Sequence, residues 1–215
     1  MKAKTNKQAA LRALPKGLKL STPSKMPGYT FALDAKRCIT GSKLRKIPSS
    51  VCSKCYGQKG PSCYPRAVAL RRGNMKWVKD NNLPIWQKAM VDFLTISGQP
   101  EFRYHDTGDI QSLNHLCAIV GIARKVPQVK FWLPTKEYAI VREYTKRFGM
   151  FPENLIVRVS SPMIKQEPLT FDYTSTVNSG KGFACPVSNG QEKCDTYKCR
   201  ACWDKNVSNI DYHLH

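Results

Sequence analysis

The cysteines hold the clearest chemistry in this chain. Cys52 and Cys55 are separated by two residues, a spacing whose turn aims both thiolates at one ion. Two ligands do not complete a site, so at least one more must come from Cys38, Cys63 or elsewhere. With Cys38 as the third thiolate, one iron of a cluster keeps a free position for a small molecule. With Cys63 as well the set is closed, as structural zinc prefers. A second group, Cys185, Cys194, Cys199 and Cys202, lies within eighteen residues. Four thiolates suffice for tetrahedral zinc (Zn2+) or for a four-iron, four-sulfur (4Fe–4S) cluster. Three of them with His213 or His215 form another zinc set. The segment NGQEKCDTYKCRACWDK, which carries the last three of them, is too polar to bury these cysteines as core. The ninth cysteine, Cys117 in LCAIVGIA, reads as a small buried hydrophobe.

The run Tyr104-His105-Asp106-Thr107-Gly108-Asp109 packs an imidazole and two carboxylates around a glycine turn. Such groups share protons, orient one another or ligate a metal. His105, Asp106 and Asp109 are the acid/base or substrate-positioning candidates, with Lys136 as a charge clamp. Thr107, Gly108, Thr135 and Ser160 are the candidates to bind a cofactor. Strand alternation puts Phe102, Tyr104 and Asp106 on one face, with Arg103 and His105 on the other. A plainer role for Asp109 is to cap the following helix.

The elements that must position these groups follow from periodicity. GYTFALDA starts a first strand. A helix begins after Cys63, near Pro61 and Pro65, and residues 84–96 form a second. From residue 100 strands and helices alternate: FRYHD, a helix over SLNHLCAIVGIARK, VKFWLP, a helix over EYAIVREYTKRF, NLIVRVS and TFDYTSTV. This rhythm predicts βαβ units and a parallel sheet, an α/β fold. In such sheets ligands sit beyond the carboxyl ends of the strands. The groups at residues 105–109, at Thr135 and Lys136, and at Ser160 and Ser161 fall at three successive strand ends. The expected organisation is a basic flexible arm over residues 1–28, an α/β core over 29–182 and a cysteine-rich metal-binding tail over 183–215.

The net charge of +20 is uneven. Residues 1–82 carry 19 Lys/Arg against two acids, a net of +17, whereas residues 83–215 carry 16 against 13, a net of +3. A field of this kind favours a polyanion, because binding releases condensed counterions. Nucleic acid, DNA or RNA, is the expected partner, with Lys43, Arg45, Lys46, Lys54, Lys59, Arg66, Arg71 and Arg72 as contacts. No stretch reaches the roughly 18–20 consecutive apolar residues of a membrane span, so a membrane partner is not expected. The N-terminus lacks the apolar core of a secretory signal. An intracellular, soluble protein is the expectation.

C-x-x-C-Y with its Gly/Lys turn, then RYHDTGD, a strand ending in TK, PENLIVRVS and finally CP…C…C-x-x-C-W together resemble the phage-encoded "gene product 88" family. The resemblance covers roughly residues 28–206 and implies the host cytoplasm. The family's central motif usually reads R-F-H-x-S-G-D-F, matched here by Arg103 to Ile110. The aromatic strand before TK is matched by Phe131 and Trp132. The layout is also similar to the partial (β/α) barrels of radical S-adenosylmethionine enzymes. That likeness implies a 4Fe–4S cluster on Cys38, Cys52 and Cys55 whose open iron binds S-adenosylmethionine. The usual C-x3-C-x2-C spacing is absent, since thirteen residues separate Cys38 from Cys52. The function expected is a metal-cluster enzyme acting on a nucleic acid or nucleotide. One alternative is a zinc-containing base-exchange enzyme with an aspartate nucleophile. Another is a zinc-stabilised DNA/RNA-binding protein without catalysis, stacking bases on Tyr56, Tyr64 and Trp203. A third is a host-interaction protein docking through its basic arm.

Overall fold

The computed structural model describes residues 2–187 and 192–214. The strands are β1 (Tyr29–Phe31), β2 (Glu101–Tyr104), β3 (Lys130–Thr135), β4 (Leu155–Ser160), β5 (Thr174–Val177), β6 (Phe183–Ala184) and β7 (Asn209–Tyr212). They form one parallel sheet in the order β1-β2-β3-β4-β5-β7-β6, and it is not closed. Among the helices are α1 (Lys2–Arg12), α2 (Ile39–Leu44), α3 (Pro65–Asn74), α4 (Leu83–Ser97), α5 (Leu113–Lys125) and α6 (Tyr138–Phe148). Helical connections are what parallel neighbours require. Among the described residues, no helix is long and apolar enough to cross a membrane.

Pleating divides the side chains between two faces. Phe31, Phe102, Tyr104, Phe131, Leu133, Val157 and Val159 join Trp86, Met90 and Phe93 of α4 and Leu116 and Ile119 of α5 in the main core. On the opposite face Trp132 and Ile210 pack with Ala201, Cys202 and Trp203. Coverage on both faces explains why β4 is buried along almost its whole length.

The C-terminal segment is held there by Arg158, which is fully buried in β4. Its guanidinium donates to the carbonyls of Cys202, Ala201, Asp204, Ser208 and Thr174. Trp203 Nε1 donates to the carbonyl of Phe102 at 3.0 Å. The tail over 183–215 is therefore not an appendage: it supplies β6 and β7 and covers one face of the sheet. The arm over 1–28 also differs from expectation. Helix α1 packs on α4, Ala10 and Leu18 are buried, and Ser21 pairs with Thr30. Ala10 and Leu18 enter the main core and Leu14 and Leu20 pack against it, and this apolar burial holds the basic arm in place.

Candidate functional site

The turn after β2 is built around Asp109. This carboxylate is buried and saturated: Oδ1 accepts from the Ile110 N–H at 2.8 Å and from Thr135 Oγ1 at 2.6 Å. Its Oδ2 accepts from the Lys136 N–H at 2.8 Å. Asp109 thus ties the end of β2 to the end of β3. It does not cap α5, whose first turn is capped by Ser112 accepting from the His115 N–H. Burial pushes its pKa up to about 7, against the lowering effect of these donors. Gly108 has φ +82°, and a Cβ there would lie 2.4 Å from Leu33 Cβ, so only glycine lets the turn close on the end of β1. Thr107 Oγ1 donates to the Leu33 carbonyl and the Leu33 N–H donates to the Thr107 carbonyl, both at 2.9 Å.

Asp106 is different. It is only partly buried, and its Oδ1 accepts one bond, from the Thr107 N–H at 2.9 Å. Burial raises its pKa, opposed by the Arg103 guanidinium. Arg103 stacks over the Trp132 ring at 4.5 Å and donates to the Tyr56 hydroxyl at 3.4 Å. His105 does not share this face. The Tyr104–His105 peptide is cis, and His105 lies with Tyr104 in the helix-side core, 2% exposed. Its Nδ1 is 2.7 Å from the Phe31 carbonyl, and burial lowers its pKa to about 4. The structure therefore separates His105 from Asp106 rather than pairing them.

Glu137, next to the anticipated Thr135 and Lys136, was not singled out from sequence. It is buried, accepts from the Thr40 N–H at 2.9 Å and from Thr40 Oγ1 at 2.6 Å, and so holds the start of α2 just after Cys38. Its own N–H donates to Thr135 Oγ1 at 3.0 Å. The Lys136 side chain is half-buried, which lowers its pKa, while Cys52, Asp109, Cys55 and Cys38 act on it as neighbouring negative groups. Ser160 lies at the far side: its carbonyl accepts from Tyr138 OH and its hydroxyl from Ser175 Oγ.

The first cysteine group collects at the same strand ends. Cys38 precedes α2, while Cys52 lies within the short helical turn Val51–Lys54 and Cys55 follows it. Burial pushes the Cys38 thiol well up, reinforced by Asp109, Cys55, Cys52 and Glu137. Cys52 is also raised by burial, with Lys136 pulling the other way. Gly41 makes room between them: a Cβ there would lie 3.0 Å from Cys38 Cβ and 3.5 Å from Cys52 Sγ. The loop is fastened across the sheet, with the Val51 N–H donating to the Pro162 carbonyl at 2.9 Å and the Ile164 N–H to the Ser49 carbonyl at 3.0 Å. Cys63 is exposed at the end of the turn Gly60–Cys63 and is not among the groups acting on Cys38 or Cys52.

In the C-terminal group, burial raises Cys194 to about 11, with Cys185 and Cys199 adding to it. Cys202 is buried against the sheet, its Sγ 3.2 Å from Tyr212 OH, and burial raises it to about 12. His213 Nε2 lies 3.1 Å from the Cys185 carbonyl, and His215 falls outside the described residues. Among the described residues, no group of three or more His, Cys, Asp or Glu side chains is arranged to hold a single metal ion.

Of the basic residues, Lys43, Lys46, Lys54, Lys59, Arg66 and Arg72 are exposed. Arg45 donates instead to the Ala35 carbonyl and Arg71 to the Ser62 carbonyl, which braces the loop. Arg72 lies 3.6 Å from Asp34.

A family model described as Gene product 88 matches residues 1–177, which includes the N-terminal segment as well as the core. Neither a curated protein nor a solved structure matches the chain.

Proposed function

The chain belongs to the Gene product 88 family, and from the geometry of its site we propose that it is a metal-cluster enzyme acting on a nucleic acid or nucleotide. The observation that carries this reading is that Cys38, Cys52 and Cys55 lie near enough to act electrostatically on one another and on Lys136, with Asp109 beside them and Cys63 apart, without being arranged around one ion. The strands run in chain order through β5 with their carboxyl ends together, as in a partial (β/α) barrel. Gly41 packs against Cys38 and Cys52, and any side chain there would press on both thiols.

Cys38, Cys52 and Cys55 would hold an iron–sulfur cluster, which supplies an open iron for S-adenosylmethionine and electrons for its cleavage. The protein's own part is electrostatic and positional. The Lys136 ammonium offsets the charge of three thiolates, and Asp109 fixes Lys136 by holding its backbone N–H. Asp106 is the carboxylate with free acceptor capacity, so it is the group to hold a substrate proton or a base edge, with Arg103 beside it. Asp109, with three donors already on it, acts as a positioning residue. In the tail, Cys185, Cys194 and Cys199, with Cys202 as fourth ligand, would hold a second, structural metal and staple the segment over the sheet.

The test is anaerobic purification followed by incubation with reductant, S-adenosylmethionine and an oligonucleotide. Cofactor cleavage, together with a mass change in a nucleoside that depends on Asp106, supports the reading. Zinc without iron, with base exchange on the oligonucleotide, would replace it by the zinc-enzyme alternative. Nucleic-acid binding with neither reaction would leave a recognition protein.

A further inference from the structure

The loop that carries Cys52 and Cys55 also forms an open groove of about 420 Å³, lined by Lys54, Tyr56, Lys59, Gly60, Pro61 and Ser62. A volume of this order suits a single small ligand or one nucleotide unit. The side chains on its walls are of two kinds. Lys54 and Lys59 are exposed ammonium groups. Tyr56 is an aromatic ring, 48% exposed, held from behind because its hydroxyl donates to the Asp106 carbonyl and accepts from Arg103. Nearby in the chain, Tyr64 is 64% exposed and Arg66 is also exposed. No acidic residue occurs between Lys36 and Lys79.

An anchored, open aromatic face between two cations is a stacking platform with phosphate contacts on either side. A base inside a duplex has both faces covered by its neighbours and offers nothing to such a ring, so the platform requires an unpaired base. The bond from Tyr56 to the Asp106 backbone places the platform beside the carboxylate assigned above to the substrate. We propose that this groove binds one unpaired nucleotide of single-stranded nucleic acid, with its base on Tyr56 and its flanking phosphates on Lys54 and Lys59. The inference rests on the nucleic-acid reading of the proposed function and names its substrate class.

The experiment is fluorescence anisotropy of the full chain with a short labelled DNA strand, with the same strand as a duplex, and over a salt series. The single strand should bind more tightly than the duplex. Tyr56→Ala should weaken single-strand binding by about 5- to 150-fold, the range of one lost base stack, while Tyr56→Phe, which keeps the ring and loses only the hydroxyl anchor to Asp106 and Arg103, should lose clearly less than Tyr56→Ala. Replacing both Lys54 and Lys59 by Ala should lower the salt slope by about 1.4, at about 0.7 per single-strand phosphate. Circular dichroism of each variant checks that the loop substitutions leave the fold intact. If Tyr56→Phe loses as much as Tyr56→Ala, the ring is not a platform and the proposal fails. If the single strand binds but Tyr56→Ala and the double lysine variant are without effect, the groove is the wrong place and nucleic-acid binding itself stands. If neither strand nor duplex binds at low salt, the groove proposal and the nucleic-acid reading fall together.

Discussion

Glu137 offers the sharpest test of how the cysteine site is positioned. Its carboxylate accepts from both the backbone N–H and the hydroxyl of Thr40, two residues beyond Cys38. Replacing Thr40 with Val removes only the hydroxyl bond, and replacing Glu137 with Ala removes both. A hydrogen bond to a buried charged group contributes about 1.5–3 kcal/mol. The coupling energy of a double-mutant cycle isolates the hydroxyl bond and should fall in that range. Loss of both bonds frees the start of α2, and with it Cys38. Groups that orient metal ligands typically change affinity by about 10–100-fold when removed, so Glu137→Ala should lose metal to a chelator at correspondingly lower concentrations. The cycle is read by urea unfolding of the metal-free protein, and retention by elemental analysis after chelator titration. A coupling below about 0.5 kcal/mol, the usual limit of additivity, together with unchanged metal retention would refute the idea that Glu137 positions Cys38.

Three further outcomes are expected. Gly41→Ala should change the stability of the metal-free chain by little, the helix preference of alanine, about 1 kcal/mol, being set against a Cβ crowded to 3.0 Å from Cys38 Cβ. Its Cβ would stand against Cys38 and Cys52, so metal content should fall, and equal metal content would show that the space between the thiols is not used. Arg158→Met abandons the carbonyls of Cys202, Ala201, Asp204, Ser208 and Thr174. At about 1 kcal/mol or more for each, the segment 200–208 should exchange its amide hydrogens and be cut by protease far faster than in the unmodified chain, and native-like protection there would contradict the anchoring role. Gly108→Ala, with a Cβ 2.4 Å from Leu33 Cβ and a left-handed φ, should yield little folded protein, and a melting temperature like that of the unmodified chain would mean the turn closes in another way.

The alternation of strands and helices was legible because each element carries its own period: Leu113, Leu116 and Val120 mark α5, and the run from Leu155 to Ser160 marks β4. The gathering of polar groups at successive strand ends followed from that rhythm, since a parallel sheet puts all those ends on one side. What escaped the reading depended on tertiary contacts. Ala10 and Leu18 gave no sign that the basic arm would fold onto α4, because its charge dominates any local window. The separation of His105 from Arg103 goes with the burial of the imidazole against the Phe31 carbonyl, a tertiary contact that alternation does not foresee. Glu137 is located by its bonds to Thr40, a partner 97 residues away that no local pattern announces. Arg158 did carry a signal, a lone cation inside the apolar strand NLIVRVS, and such a residue implies buried acceptors waiting for it.

The central claim is that Cys38, Cys52 and Cys55 form one metal site and that Cys63 is not part of it. Serine substitutions at each of the four, purified anaerobically and assayed for iron, sulfide and zinc, test it directly. The variants at 38, 52 and 55 should each lose the same metal centre, and Cys63→Ser should retain the full complement. Loss of metal in Cys63→Ser, or retention in Cys38→Ser, would contradict it.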